Sequence, residues 1–359
     1  MRVKLEEVCK RIYAGGDVPK DRYSEEKTEE YNIPIYANAE KDDGLYGYTD
    51  EAREAELSIT VAARGTIGYT AIRREPFLPV VRLITVVPDL SKVSERYLFY
   101  ALKNCKPQSS GTSIPQLTVP DIKKNTINLL GISEQESIAD RLDKLNEIIK
   151  LRTEEISKLD ELIKARFVEM FGNPVGNPYG WEKCTLKEVC TKLNDGTHFS
   201  PESFEKGDYK YITAKNIKRD GFDFSNITYV PEEVHRSIYE RCNPEYGDVL
   251  YIKDGATTGI AMVNSLREEF TLLSSVALLK QDRSIMNGEF LCSVLNNDEM
   301  YLDIRNNMGG AAITRLTIAK LNGIKIIVPP IGLQEQYANF VKQIDKSKFG
   351  CITARGVYV

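Results

Sequence analysis

The feature that most constrains the fold of this chain is an internal repeat. With an offset of 199 residues, Gly111-Thr-Ser-Ile-Pro-Gln-Leu-Thr118 aligns with Gly310-Ala-Ala-Ile-Thr-Arg-Leu-Thr317. Near the starts of the two halves the offset is 181, where Leu5-x-Glu-Val-Cys9 aligns with Leu186-x-Glu-Val-Cys190. Ordered matches along both halves predict one structural unit that occurs twice. The growing offset predicts that the second copy carries insertions in its loops.

Each copy of the repeat is predicted to be a mixed α and β unit. The length of 359 residues exceeds that of one typical hydrophobic core and favours two domains. Short apolar or β-branched segments bounded by turn residues predict buried strands at 58–62, 80–87, 248–252, 274–279 and 325–330. Two further segments, 94–103 and 289–296, are typical of short helices. The predicted fold class is therefore α+β, with two repeated globular units.

One long helix is predicted between the two copies. Ser133 and Glu136 have the spacing of a capping box, and no Pro or Gly interrupts the segment from there to Gly172. Within it, residues at alternating steps of four and three positions are mostly apolar, which is the 3.5-residue period of a coiled coil. This helix seam consists of Ile138, Leu142, Leu145, Ile149, Arg152, Ile156, Leu159, Ile163, Arg166 and Met170. The seam predicts packing against a second helix.

The two arginines of the helix seam, Arg152 and Arg166, interrupt its apolar character. We interpret them as long side chains that pack on a partner helix with their charged ends in solvent. Contact with an acidic partner subunit, or a role in fixing the helix register, is the alternative.

A second, shorter helix is predicted after the second copy of the repeat. Within 331–349, Tyr337, Val341 and Ile344 lie on one face, whereas 350–359 does not continue the pattern. Much of the C-terminal half of the helix seam would then lack a partner within the chain. An exposed apolar stripe of this kind predicts self-association.

Composition excludes several classes of protein. No apolar segment approaches the about 18 residues that a membrane span needs, so a cytoplasmic protein without membrane contact is expected. Seven Cys without a Cys-x-x-Cys pair, together with two His, argue against a disulfide framework and against a metal site. The net charge of −4 is unusual for a nucleic-acid binder. A DNA-binding role would therefore need locally placed cations, or a partner that shares the phosphate contacts.

Several segments resemble the specificity subunits of type I restriction–modification enzymes. They are Leu159-Asp-Glu-Leu-Ile-Lys-Ala-Arg-Phe-Val-Glu-Met-Phe-Gly-Asn-Pro174 with the following Gly180-Trp181, then Val189-Cys-Thr-Lys-Leu-Asn-Asp-Gly-Thr-His198, and the pair Gly111–Leu117 and Gly310–Leu316. The resemblance covers residues 1 to about 349 and is most specific in the helical and junction segments. The short second helix and the segment 350–359 depart from the family pattern, and we interpret them as a truncated or frame-altered form.

The resemblance implies two target-recognition domains, each reading one half of a split DNA site, held by antiparallel coiled-coil helices in a pseudo-two-fold arrangement. It implies that this chain carries no catalytic residue and no cofactor. Two methyltransferase subunits that carry S-adenosylmethionine would dock on it, and restriction subunits that use ATP and Mg would join them. The implied domains are target-recognition domain 1 (1–130), a long spacer helix (131–172), target-recognition domain 2 (173–330), a short second spacer helix (331–349) and an atypical tail (350–359).

Candidate DNA contacts are cationic and small polar side chains beside glycine turns. Gly permits a close approach of the backbone to phosphate, and Arg or Lys can reach guanine or a phosphate oxygen. In the first copy the candidates are Lys20, Arg22, Arg64, Thr66, Gln108, Ser109 and Ser110. In the second copy they are Lys215, Asn216, Lys218, Arg219, Lys253, Thr257, Asn306 and Asn307. An ordinary solvated surface position is the alternative for each of them.

Other interpretations remain open from the sequence. His198, in a turn-rich segment, could organise its loop or contact DNA or a subunit. A coiled-coil adaptor that binds only protein is the alternative function, which the negative charge favours and the duplicated, loop-rich units disfavour. A methyltransferase with built-in recognition is a third, but the sequence contains no cofactor motif.

Overall fold

The structure is a computed structural model that describes residues 1–105, 116–306 and 315–356, with side chains in the last helix as far as Lys348. It divides into two compact units, Met1–Lys150 and Leu151–Val359, called unit 1 and unit 2 below. The division falls inside the long helix, whereas the sequence predicted boundaries at the two ends of that helix. No helix among the described residues is long and apolar enough to span a bilayer.

Unit 1 contains nine strands, two α-helices and the first part of a third in its described residues. These are β1 (Arg2–Lys4), β2 (Cys9–Ala14), β3 (Ile33–Tyr36), β4 (Leu45–Thr49), β5 (Ser58–Val61), β6 (Thr70–Arg73), β7 (Leu78–Pro79), β8 (Ile84–Pro88), α1 (Glu95–Lys103), α2 (Val119–Lys124), β9 (Thr126–Asn128) and α3 (Ile132–Phe171). The strand predicted over 80–87 begins only at Ile84, because Val81 and Arg82 have positive φ and form a turn.

Unit 2 begins with the second part of α3. Its other elements are β10 (Lys183–Thr185), α4 (Leu186–Val189), β11 (Cys190–Asp195), β12 (Tyr209–Ile212), β13 (Ile217–Lys218), β14 (Gly221–Phe222), β15 (Thr228–Val230), α5 (Glu232–Tyr239), β16 (Val249–Ile252), β17 (Ala261–Val263), β18 (Phe270–Leu272), β19 (Val276–Gln281), α6 (Gly288–Leu295), α7 (Asp298–Asn306), α8 (Ile318–Asn322), β20 (Lys325–Ile327) and α9 (Ile331–Gly356).

The two units have the same sheet topology. The order β2-β8-β5-β6 in unit 1 corresponds to β11-β19-β16-β17 in unit 2, and both sheets are antiparallel. The order β4-β3-β7 corresponds to β15-β12-β18, and in each sheet the middle strand pairs antiparallel with one neighbour and parallel with the other. A two-stranded ladder completes each unit, β1-β9 and β10-β20. The predicted α+β fold and its duplication are confirmed.

Irregularities of the strands repeat as well. β2 pairs with β8 through a register shift between Cys9 and Arg11, and β11 pairs with β19 through a shift between Cys190 and Lys192. These positions are related by the offset of 181 residues found in the sequence. A bulge at the same place bends the first strand of both four-stranded sheets in the same way. The predicted loop insertions of the second copy include the β13-β14 hairpin and α5.

A buried glutamine fixes the start of the helix that follows each unit. Gln135 is fully buried, and its Oε1 accepts from the backbone N–H of Ser94 at 2.8 Å, just before α1. Gln334 is also fully buried, and its Oε1 accepts from the N–H of Asn287 at 2.9 Å, just before α6. Each glutamine Nε2 donates to two backbone carbonyls. Gln135 and Gln334, which the offset of 199 residues aligns, are therefore equivalent structural anchors.

The start of α3 differs from the predicted capping box. The helix begins at Ile132, so Ser133 lies inside its first turn and does not cap it. The carboxylate of Glu136 instead accepts hydrogen bonds from the Ser94 hydroxyl and from the Arg96 guanidinium. These contacts attach the first part of α3 to α1.

In unit 2, α9 packs antiparallel on the second part of α3. The ring of Tyr337 lies 5.6 Å from the rings of both Phe167 and Phe171, and all three side chains are buried. Farther along α9, the Lys348 ammonium lies 2.6 Å from the Asp160 carboxylate. A later residue of α9 thus meets an earlier residue of α3.

The prediction that the C-terminal half of the helix seam lacks a partner is therefore wrong where these contacts occur. Ile163 and Met170 pack against the core that contains Tyr337 and Val341. Nor does the second helix end at residue 349, since α9 continues to Gly356. The expectation of self-association through an unpaired seam loses its basis over this part of the helix.

The remaining residues of the two helices that the sequence placed at the helix interface are half-buried, except Arg152. Ile344 is partly buried on α9, and Arg166 extends over the Phe340 ring at 5.9 Å while its Nη1 pairs with Glu169. This supports the interpretation of Arg166 as a stem that packs on a partner helix. Arg152 is exposed and pairs with Glu155. The half-buried residues of α3 are Ile138, Leu142, Leu145, Ile149, Ile156 and Leu159.

Candidate nucleic-acid interface

Two equivalent loops contain the strongest candidate contacts. In unit 1 the loop after β5 closes with the Gly68 N–H donating to the Ala62 carbonyl at 2.9 Å. In unit 2 the loop after β16 closes with the Gly259 N–H donating to the Ile252 carbonyl at 2.8 Å. Both glycines have positive φ, at 86° and 108°, so the turn itself requires them. The two loops join β5 to β6 and β16 to β17, and we call them the first and second β-turn loops.

Each β-turn loop is joined to the segment that precedes a short helix. The Leu117 N–H donates to the Ala63 carbonyl at 3.0 Å, and the Leu316 N–H donates to the Lys253 carbonyl at 2.8 Å. The shared hydrogen bond makes Ala63 equivalent to Lys253, and it aligns the residues beside them. We call each meeting of the two segments a loop junction.

A charged or polar side-chain pair spans each loop junction. Arg64 donates from Nε and Nη2 to Gln116 Oε1 at 2.9 and 2.7 Å in unit 1. In unit 2, Arg315 Nε lies 3.5 Å from Asp254 Oδ2. Arg64 and Arg315 are both exposed. Arg315 was not among the sequence candidates, although it lies in the repeat directly opposite Gln116 and could have been found there.

The two threonine candidates lie exposed in these loops. Thr66 borders a groove of about 720 Å³ with Gly65 and Gly68 in unit 1, and Lys103 at the end of α1 lines its other side. Thr257 occupies the corresponding part of the second β-turn loop. Arg64 and Thr66 are thus both exposed in the first β-turn loop, and Thr66 also borders the groove.

Lys253 is not available to DNA. Its side chain is 2% exposed and its Nζ lies 3.2 Å from the Asp195 carboxylate, which is itself 4% exposed. The sequence predicted Lys253 as the counterpart of Arg64, but the side chain of Lys253 points into the unit because it neutralises Asp195. The expectation is corrected: the exposed cation of this junction is Arg315.

The same carboxylate determines the role of His198. The His198 Nε2 lies 3.1 Å from Asp195 Oδ1, and Arg241 Nη1 lies 3.3 Å from the same oxygen. Three basic groups thus surround one buried carboxylate at the end of β11. This geometry supports the loop-organising role among the two that the sequence left open.

Arg22 and Asn216 are held by other residues of the chain. Arg22 pairs with Asp50 at 2.7 Å and with Glu51 at 3.0 Å. Its hydrogen bonds lower the pKa of the Asp50 carboxyl. Asn216 is 4% exposed, and its Oδ1 accepts from the Thr213 N–H at 3.0 Å. The buried Asn216 is a turn residue and not a DNA contact.

The other candidates are spread over the surface of the described residues. Lys20, Lys215, Lys218, Arg219 and Asn306 are exposed. Lys218 has a loose ion pair with Asp223 at 3.7 Å. Gln108, Ser109, Ser110 and Asn307 lie outside the described residues.

The second histidine, His235, is a core residue. Its side chain is fully buried and stacks on Tyr209 with ring centroids 3.8 Å apart. Its Nδ1 lies 2.8 Å from Thr271 Oγ1, and its Nε2 lies 3.3 Å from a carboxylate oxygen of Glu269. Burial lowers the pKa of His235, and the Glu269 carboxylate opposes this only in part. Among the described residues, no three His, Cys, Asp or Glu side chains are placed to hold a metal ion.

Comparison with known proteins shows which family this chain is similar to. The model of the type I restriction modification DNA specificity domain matches residues 1–161 and 178–355. A Mycoplasma pneumoniae protein described as a type I specificity subunit, S.MpnORF507P, is 39% identical over 142 residues, which are 40% of this chain and 39% of that protein. The chain thus spans about two fifths of the length of this relative.

Two other similarities extend over nearly the whole chain. The MjaIX specificity subunit of Methanocaldococcus jannaschii is 23% identical over 92% of this chain and 81% of that protein. The crystal structure of a type I restriction–modification S subunit from M. genitalium has a TM-score of 0.58 at 16% identity, covering 99% of this chain and 92% of that one. The structural likeness concerns the fold. With the family model matching both copies of the repeat, the chain belongs to the family of type I restriction modification DNA specificity domains.

Proposed function

We propose that this chain is the DNA-reading subunit of a type I restriction–modification complex, with each unit reading one half of a split site. The observation that carries this proposal is the duplication of one family domain with the same sheet topology in both units. Two copies of one reader on one chain suit a site made of two separated parts. The family match gives no support to the alternative of an adaptor that binds only protein.

Chemistry would be supplied by other subunits. We propose two methyltransferase subunits with S-adenosylmethionine and restriction subunits that use ATP and Mg as partners, acting in the cytoplasm. A complex of this kind also accounts for the charge, because a chain with a net charge of −4 gains little from long-range attraction to DNA. The partners would supply many of the phosphate contacts, while exposed side chains of this chain read bases.

A selection experiment tests the proposal. The full chain is incubated with a pool of random-sequence DNA duplexes, with and without its methyltransferase subunits, and the bound duplexes are sequenced. We expect enrichment of a motif with two conserved parts separated by a spacer of fixed length. Enrichment that is unchanged when this chain is omitted, or no enrichment in the assembled complex, would refute the proposal. Bound S-adenosylmethionine on the isolated chain would argue for a catalytic role instead.

A further inference from the structure

Each loop junction contains one arginine, although the arginine is on a different segment in each unit. The backbone hydrogen bonds to the Ala63 and Lys253 carbonyls align the two junctions. In that alignment Arg64 occupies the place of Asp254, and Gln116 occupies the place of Arg315. The arginine and its partner have thus exchanged segments between the two copies.

What the two junctions share is the guanidinium, not the chemistry of its partner. The partner is a neutral amide in unit 1 and a carboxylate in unit 2. A structural cross-link would be served by any polar pair. The Arg315–Asp254 pair, at 3.5 Å and with the Arg315 side chain 52% exposed, contributes little to stability. A requirement for a cation at this surface explains the exchange better than a requirement for a link.

In unit 1, Gln116 holds the Arg64 guanidinium in an orientation that leaves one edge available to bind a ligand. Gln116 Oε1 occupies the Nε and Nη2 of Arg64, whereas Nη1 has no partner in the part of the chain that the structure describes. A guanidinium has five N–H donors in a fixed plane and can bind phosphate or guanine in a bidentate way. Because Gln116 holds one edge of the Arg64 guanidinium, the side chain loses less conformational entropy when it binds a ligand.

A second cation lies near each junction. In unit 1, Lys103 lines the groove beside the first β-turn loop. In unit 2, the Tyr301 ring packs directly on Gly259. Any side chain at this position would clash with the ring, since a Cβ on Gly259 would lie 2.3 Å from it. Arg305 donates from Nη1 to the hydroxyl of the same Tyr301. In both units a helix thus brings a basic residue close to the β-turn loop. In unit 1, Glu40 lines the same groove as Lys103, so the cation that the two junctions share is the guanidinium itself.

We propose that Arg64 and Arg315 are equivalent DNA-contacting residues, one for each half of the split site. The inference rests on the proposed DNA-reading function and adds the residues that perform it. It assigns the role to Arg315, which the sequence alignment alone did not select, and withdraws it from Lys253.

The test uses the chain assembled with its methyltransferase subunits and the random-duplex pool described above. Arg64→Gln and Arg315→Gln are selected in parallel with the parent chain. Each variant is expected to bind the parent's selected site at least about fivefold more weakly. The loss of base preference is expected in one half of the motif for Arg64→Gln and in the other half for Arg315→Gln.

Matched controls separate a local contact from the general effect of charge. Arg74→Gln in unit 1 and Arg283→Gln in unit 2 remove one exposed positive charge each, from side chains that are 60% and 61% exposed. We expect them to change the binding by less than about twofold. If Arg64→Gln and Arg315→Gln behave as these controls do, the inference is wrong.

An exchange variant tests the equivalence of the two junctions. Arg64→Asp combined with Gln116→Arg gives unit 1 the arrangement that unit 2 has. We expect the exchange to restore most of the binding that Arg64→Gln loses, because the guanidinium stays at the junction. Failure to restore binding in a variant with parental circular dichroism and Tm would overturn the equivalence.

The failure of this inference is distinguishable from the failure of the proposed function. A parent complex that selects no motif overturns both. A parent complex that selects a motif in two parts, with both arginine variants matching their controls, overturns the inference alone.

Discussion

The buried ion pair between Asp195 and Lys253 provides the sharpest test of the structure. Their side chains are 4% and 2% exposed, and Lys253 Nζ lies 3.2 Å from Asp195 Oδ2. The equivalent positions in unit 1 are Ala14 and Ala63, by the strand register and the shared backbone hydrogen bond. One copy of the repeat thus has a charged pair where the other has two alanines. The double substitution to alanine is therefore compatible with this fold.

The three alanine variants should differ in a defined order. Asp195→Ala leaves the Lys253 ammonium buried without a counter-charge, so we expect a loss of about 3–5 kcal/mol in the free energy of unfolding. Lys253→Ala leaves the carboxylate with Arg241 and His198, and we expect a smaller loss of about 1–3 kcal/mol. The double variant removes both buried charges, so its loss should be smaller than that of Asp195→Ala alone.

Urea unfolding followed by tryptophan fluorescence measures these losses in unit 2. The chain contains one tryptophan, Trp181, whose Nε1 donates to the Phe171 carbonyl at 3.0 Å. Its emission therefore reports on unit 2, while circular dichroism reports on the whole chain. If the loss in the double variant equals the sum of the two single losses, the charges do not interact, and the assignment of Lys253 as a structural residue is refuted.

Three further predictions concern buried and partly buried groups. Gln135→Ala and Gln334→Ala should each lower the free energy of unfolding by about 1–3 kcal/mol, because backbone groups lose their partners; a loss below about 0.5 kcal/mol in urea unfolding would contradict this. Because the pKa of His235 is lower in the folded state than in the unfolded state, its contribution to stability is complete above about pH 6.5 and decreases as the pH falls. The urea midpoint should therefore fall more between pH 7.5 and 5.5 in the parent than in His235→Gln. Equal falls in the two proteins would show that His235 does not contribute to the pH dependence of stability. Burial raises the pKa of Cys9 and Cys190 to about 12, so iodoacetamide at pH 8 should modify them only after unfolding; mass spectrometry that finds them alkylated in the native chain would contradict this.

The positions of the interacting residues in the sequence explain which candidate contacts could be predicted. Arg64 and Thr66 follow a buried strand and lie in a turn that requires glycine, so local sequence places them on the surface correctly. Asn216 lies in an equally polar segment, but its amide caps a turn and is buried. The burial of Lys253 depends on Asp195, a residue distant in sequence that the fold brings beside it.

The duplication of the unit, its α+β class, the long helix and the family pattern were determined by the sequence alone. These features depend on local periodicity and on comparison of the chain with itself, both of which are visible without coordinates. Only the tertiary structure decided which cation of the loop junction in unit 2 faces solvent, and that α9 covers part of the helix seam. Those outcomes depend on contacts between residues far apart in sequence, where burial of one charge requires a partner that no local pattern specifies.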